Sequence, residues 1–164
     1  MRLFIALRLS DAMCEAIGDL QRVLQRQGVR GSYTSRENLH LTLAFIGEYN
    51  DPEYVLEVLA GISFEPIDLV LEGVGAYGDL WWIGLEACQG LQDYVRKLRH
   101  ALAEAGIPFD RKRFSPHITM LRRADVALSK ARIPPVERVS MIADHPSLMR
   151  SDRGKAGMIY TEIR

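Results

Sequence analysis

Two of the chain's four histidines open the same short phrase, His40-Leu41-Thr42-Leu43 and His117-Ile118-Thr119-Met120, close to half a chain apart. In an extended chain successive side chains point to opposite faces. Each phrase therefore puts an imidazole and a hydroxyl on one face and two aliphatic groups on the other. Only four threonines occur (Thr34, Thr42, Thr119 and Thr161), and two of them hold this register. A lone histidine on a strand is more often a packing residue, so the repetition carries the reading. It demands two half-buried strands, one in each half of the chain. We infer two similar lobes that face each other across a cleft.

Length permits this. A chain of 164 residues fits one ordinary domain, or two small lobes sharing a core, and residues 1–164 are expected to form a single bilobal domain. Around Leu3 to Leu9 a strand is expected, followed by a helix capped by Ser10 or Asp11. That helix carries Met13, Ile17, Leu20 and Leu24 at helical spacing and ends at Gly28. A short strand at Gly31-Ser32-Tyr33 precedes the first histidine strand, Asn38 to Phe45. Asp51-Pro52 starts a second helix, with Asp as cap and Pro in the first turn. Strands follow at Ile67–Leu71, Gly73–Tyr77 and Leu80–Leu85, the last two joined by a turn around Gly78, with a kink in the Gly73-Val74-Gly75 stretch. A third helix bears Leu91, Tyr94, Val95, Leu98 and Leu102 and stops at Gly106. Phe114 to Leu121 is the second histidine strand. Val136–Ala143 and Met158–Ile163 close the chain as strands. The order favours a mixed α+β architecture of mostly antiparallel sheets over a regular parallel alternation.

Composition sets limits on partners. Lys and Arg equal Asp and Glu at 21 each, which argues against avid, sequence-independent binding along a long nucleic acid. Local basic groups remain: Arg111, Lys112 and Arg113 precede the second phrase, and Arg122 and Arg123 follow it. No apolar run approaches the roughly 20 residues of a membrane span. Cys14 and Cys88 are too few for a disulfide framework, and reduced thiols in a cytoplasmic protein are expected.

Paired histidines suit displacement at phosphorus. Imidazole titrates near neutrality, so one can act as base while its partner, protonated, acts as acid. One activates water and the other protonates the departing oxygen. Each threonine hydroxyl can donate to a non-bridging phosphate oxygen. A metal site is not expected, because there is no HExxH, CxxC or His-x-His pattern and neither phrase contains Asp or Glu. Glycine-rich nucleotide loops and the GxSxG elbow are also missing. His100 falls off the apolar stripe of its helix, and His145 precedes Pro146 in a turn. Trp81-Trp82 would point to opposite faces, leaving at most one for the cleft. Tyr33, Phe45 and Tyr77 are further rings that serve either a base or the core.

With these residues the chain resembles the two-histidine (2H) phosphoesterases, most closely the RNA 2′,3′-cyclic phosphodiesterase branch, also described as 2′-5′ RNA ligase. The resemblance runs through Arg2-Leu3-Phe4-Ile5-Ala6-Leu7, Glu37 to Gly47, Gly73 to Tyr77, Phe114 to Arg122, and Tyr160. It departs at Met120, where Leu is usual, and fits loosely over Ser147–Gly154, which the resemblance implies is a loop near the substrate. It implies a bilobal, pseudo-twofold fold with a cofactor-free, metal-free site between the lobes. It further implies hydrolysis of a terminal 2′,3′-cyclic phosphate on RNA to a 2′-phosphate, with 2′-5′ joining in some members. By the same match His40 is the proton donor, His117 the acceptor, Thr42 and Thr119 hold the phosphate and Arg122 helps to neutralise it. Phe45 and Tyr77 are the candidate substrate rings. Two other readings stay open: a phosphodiesterase for small cyclic or 2′-5′-linked nucleotides, and a non-catalytic nucleotide- or RNA-binding module.

Overall fold

A computed structural model describes all 164 residues. The first strand, β1 (Arg2–Arg8), is buried along its five central residues, as a strand covered on both faces must be. Helix α1 (Asp11–Arg26) starts where the Ser10 hydroxyl accepts the Met13 N–H at 3.2 Å. It buries Met13, Ile17, Leu20 and Leu24, together with Cys14 and Gln21. The short β2 (Ser32–Tyr33) and a turn of 3-10 helix (Arg36–Asn38) lead into β3 (His40–Glu48). Helix α2 (Pro52–Ala60) is capped by Asp51, whose carboxylate accepts from the Tyr54 N–H at 3.1 Å. The hairpin of β4 (Ile67–Tyr77) and β5 (Leu80–Leu85) turns at Gly78, whose φ of +61° is the left-handed conformation such a tight turn asks of glycine. Helix α3 (Gln89–Glu104), β6 (His117–Arg122), β7 (Ser140–Ala143), β8 (Ser147–Gly154) and β9 (Gly157–Glu162) complete the chain.

These strands form two sheets, ordered β3-β1-β8-β9 and β2-β6-β5-β4-β7, with every neighbouring pair antiparallel. The α+β, two-sheet architecture expected above is therefore present. Each sheet contributes one histidine strand, β3 to the first and β6 to the second. The sheets do not coincide with the sequence halves, however. The first sheet takes β8 and β9 from the end of the chain, and the second takes β2 from the beginning. Helices cross as well. Gln21 on α1 donates from its side-chain amide to the carbonyls of Thr34 and Met120, both at 3.0 Å, which fastens the helix to the second sheet. Helices α2 and α3 lie against each other and against strands of the first sheet. One cluster of 32 buried residues runs through both lobes.

Three expectations need correction. Ser147–Gly154 is a strand rather than a loop, hydrogen-bonded on both sides to β1 and β9. Its polar sequence hides this because one face carries Ser147, Met149 and Ser151 instead of a run of β-branched residues. Ile67–Leu71 and Gly73–Tyr77 are one strand, with a register shift between Leu71 and Val74 where a break was expected. The strand expected at Val136–Ala143 begins only at Ser140. No helix is long and apolar enough to cross a membrane.

Candidate active site

The two histidine strands share an irregularity at the same place in their phrase. On β3, Thr42 pairs with Ala6 and Ala44 with Ile5, so Leu43 is an extra residue with no partner. On β6, Thr119 pairs with Trp82 and Leu121 with Trp81, so Met120 is extra. Each is a β-bulge, and each falls on the last residue of its phrase. A bulge resets the alternation of faces. Without it, Phe45 and Arg122, each five residues beyond its histidine, would turn away from the imidazole. With it, both join their histidine and threonine in lining one cavity.

That cavity holds about 360 Å³ between the sheets. His40, Thr42, Phe45, His117, Thr119 and Arg122 all border it, so six of the seven residues expected at the site come together. Strands β3 and β6 approach within 8 Å between Cα atoms. Tyr77, the seventh, stands behind His117 at the rim, half exposed, and its hydroxyl lies 3.2 Å from Ser115 Oγ. The cavity lining contains two imidazoles and no carboxylate or thiol.

Both rings are oriented by the same device. The Nδ1 of His40 lies 2.8 Å from the Asn38 carbonyl, and the Nδ1 of His117 lies 2.8 Å from the Ser115 carbonyl. A carbonyl only accepts, so the Nδ1 proton is fixed and Nε2 is the working nitrogen of each ring. His40 Nε2 is 2.7 Å from Thr42 Oγ1, and neutral His40 accepts that hydroxyl proton. Aromatic rings brace both imidazoles. Phe4 and Tyr160 stand 4.9 and 5.2 Å from His40 between centroids, Tyr160 edge-on. Tyr77 and Trp82 stand 5.4 and 6.2 Å from His117, Tyr77 edge-on. Trp82 lies flat over Gly75, where any Cβ would collide with the indole. Trp81, its neighbour, points into the core and is fully buried.

Burial pushes the His40 imidazole below its ordinary 6.5, and the nearby positive charges of Arg122 and His117 push the same way, against the Asn38 hydrogen bond. Among the residues that sequence reasoning left without a role, Phe4, Arg2 and Ser151 border the cavity, along with Asn38 and Tyr160. The all-apolar centre of β1 conceals that Arg2, Phe4, Ala6 and Arg8 share one face. Its antiparallel pairing to β3, opposite Phe45 and Thr42, is the signal that exposes it. Asn38 also donates its side-chain amide to the Met158 carbonyl at 2.8 Å, tying the β8–β9 hairpin to the site. His100 and His145 are exposed beside Glu104 and Asp144, away from the cavity.

Residues 9–155 match the family model described as the 2′-5′ RNA ligase superfamily. An RNA 2′,3′-cyclic phosphodiesterase of Thermotoga maritima is 26% identical over 98% of this chain and 91% of its own length. The crystal structure of Escherichia coli LigT in apo form superposes with a TM-score of 0.87 at 27% identity, covering 99% of this chain and 94% of that one. The same protein complexed with 3′-AMP gives a TM-score of 0.85 over 99% and 95% of the two chains, again at 27% identity. Fold and sequence thus agree over nearly the whole length, and this chain belongs to the 2′-5′ RNA ligase superfamily.

Proposed function

We propose that residues 1–164 act as one bilobal domain that hydrolyses 2′,3′-cyclic phosphate ends of RNA to 2′-phosphomonoesters by acid–base catalysis between His40 and His117. The observation that carries this is the pair of imidazoles, each oriented through Nδ1 by a backbone carbonyl, bordering one cavity with two threonines and an arginine. The relatives named RNA 2′,3′-cyclic phosphodiesterase support the reaction class, and the LigT complex with 3′-AMP supports a nucleotide in the cleft. In this reading Nε2 of neutral His117 takes a proton from water, whose oxygen attacks phosphorus. The bond to the ribose 3′ oxygen breaks, and cationic His40 protonates that oxygen from its Nε2. Thr42 and Thr119 donate hydroxyl hydrogens to the non-bridging oxygens, and Arg122 neutralises their charge. A 5′-hydroxyl in place of water gives a 2′-5′ linkage by the same proton transfers. No residue of this scheme requires a metal ion.

Burial shifts the His40 imidazole toward its neutral form in the free protein, so its donor form gains from the arrival of the substrate. An arriving phosphate anion cancels the repulsion from Arg122 and favours the imidazolium. The same lowered pKa favours a second assignment, in which His40 is the base and His117 the acid. An activated aryl phosphodiester separates the two, because its leaving group departs without a proton. If His40 is the acid, His40→Ala recovers on that ester and His117→Ala does not; the opposite pattern reverses the roles. The test of the function itself is incubation of a cyclic-ended RNA in EDTA with identification of the product. A 2′-monophosphate is expected. An unchanged cyclic end overturns the hydrolase, and a 3′-monophosphate overturns the leaving oxygen.

A further inference from the structure

A second groove of about 460 Å³ opens beside the catalytic cavity and shares with it Thr34, Asn38, Arg122, Met158 and Tyr160. Both volumes fall within the roughly 300–1,000 Å³ of ordinary ligand sites. The groove runs from β2 and β6 to the tip of the β8–β9 hairpin, and three arginines line it: Arg122, Arg123 and Arg153. Its lining contains no Asp or Glu, although the chain as a whole has as many acids as bases.

Two features mark this as more than a chance gathering of surface charge. First, Arg122 and Arg123 are consecutive yet line the same groove, which an extended continuation of β6 past its end at Arg122 would prevent. Arg123 achieves it with a φ of +54°, the one positive φ of any non-glycine residue in the chain. The left-handed region costs a side-chain-bearing residue about 1–2 kcal/mol, so the fold pays for this placement. Arg123 is steadied there by its guanidinium, which donates to Ser32 Oγ at 2.8 Å. Second, the groove brings three guanidinium groups together with no acid among them, whereas Arg8, Arg36 and Arg138 each sit against a carboxylate. Arg122, Arg123 and Arg153 have none within 4.0 Å. Unpaired guanidinium groups gathered along a groove repel one another until an anion lies among them, and their forked donors suit phosphate.

We propose that this groove is a phosphodiester subsite, taking the backbone on the 5′ side of the terminal nucleotide while the cyclic phosphate occupies the histidine cavity. The inference rests on the proposed function and adds substrate length to it: the preferred substrate is an RNA strand, not a cyclic mononucleotide. Arg123 and Arg153 bind the strand, and Arg122 bridges the two sites.

The experiment compares three substrates ending in a 2′,3′-cyclic phosphate: a mononucleoside, the same with a 5′-phosphate, and a tetranucleotide. Wild type, Arg153→Ala, Arg153→Lys and the double variant Arg123→Ala/Arg153→Ala are assayed at several salt concentrations. The tetranucleotide is expected to be preferred. Arg153→Ala should raise its KM about tenfold with kcat retained, Arg153→Lys should keep most of the affinity, and kinetics on the mononucleoside should not move. The salt slope of binding should fall by about 0.7 per arginine removed. Equal losses on mononucleoside and tetranucleotide, or no loss on the tetranucleotide, overturn the subsite. So does a full gain from the 5′-phosphate alone, which would mark a site for small nucleotides. Should wild type cleave none of the three, the hydrolase reading fails by itself. The groove is then read by fluorescence anisotropy of a labelled tetranucleotide with a 3′-phosphate, where equal affinity of wild type and Arg153→Ala overturns it.

Discussion

The protonation of His40 is where charge and burial meet most closely. Its imidazole lies below the ordinary 6.5, first through burial and then through the facing Arg122 and His117. In the free protein its NMR titration is expected below 6.5, and replacing Arg122 with Ala should raise it by removing one repelling cation. Bound inorganic phosphate should raise it too. A titration that ignores both changes would show that Arg122 does not act on this ring. The sign for stability follows from linkage. A histidine with a depressed folded pKa keeps its contribution above about 6.5 and loses it as the pH falls through that value toward the folded one. The His40→Phe variant, which cannot titrate, should therefore lose less stability than wild type between pH 7 and 5 in denaturant unfolding. His40, Thr42, His117 and Thr119 were legible in the sequence because the phrase occurs twice with the same period. Phe4 and Ser151 were not, because a side chain's membership of a cleft depends on which strand lies beside it.

Among the elements, the paired bulges and the crossed helix matter most to the site. Trp82 packs flat on Gly75 and next to His117, so Gly75→Ala must push the indole off its strand. That substitution is expected to cost about 1–3 kcal/mol as overpacking does and to lower turnover as His117 loses its brace, read by denaturant unfolding and steady-state rates. Unchanged stability would mean that the indole has room to shift. Gln21 is the buried polar link between α1 and the second sheet, and its amide supplies the carbonyls of Thr34 and Met120. Gln21→Leu leaves the Thr34 carbonyl without this donor and should cost about 1–3 kcal/mol; a neutral result would show that water replaces the amide. Helix caps and the hairpin turn were readable from Ser10, Asp51 and Gly78, since these act through neighbours in sequence. Strand β8 was not, because its half-polar residues become a strand only between β1 and β9. The bulges escaped for the same reason: a bulge is a property of two strands, and only the doubled burial of Leu43-Ala44 and Met120-Leu121 betrays it afterwards.

At the scale of the molecule, the first sheet is assembled from both ends of the chain and the second largely from its middle, while α1 crosses to the second and α3 lies against the first. The sequence halves therefore supplied the right number of lobes and the wrong seam between them. Alternation and helical periodicity report what each segment buries, not which segment it is buried against, so the sheet order had to come from the pairing itself. What the crossing accomplishes is a cleft whose two walls each hold one imidazole, one threonine and an aromatic brace, fixed to a common core. If those walls act on one phosphate, the histidines form a single catalytic unit, and losing either should cost nearly as much as losing both. The direct measurement is kcat/KM on a cyclic-ended RNA for His40→Ala, His117→Ala and the double variant, each shown to be folded. Each single change is expected to lower the rate by about 10²–10⁴, with the double variant close to the worse of the two. Losses that multiply in the double variant, or a single variant that turns over like wild type, would contradict a shared phosphate between the two imidazoles.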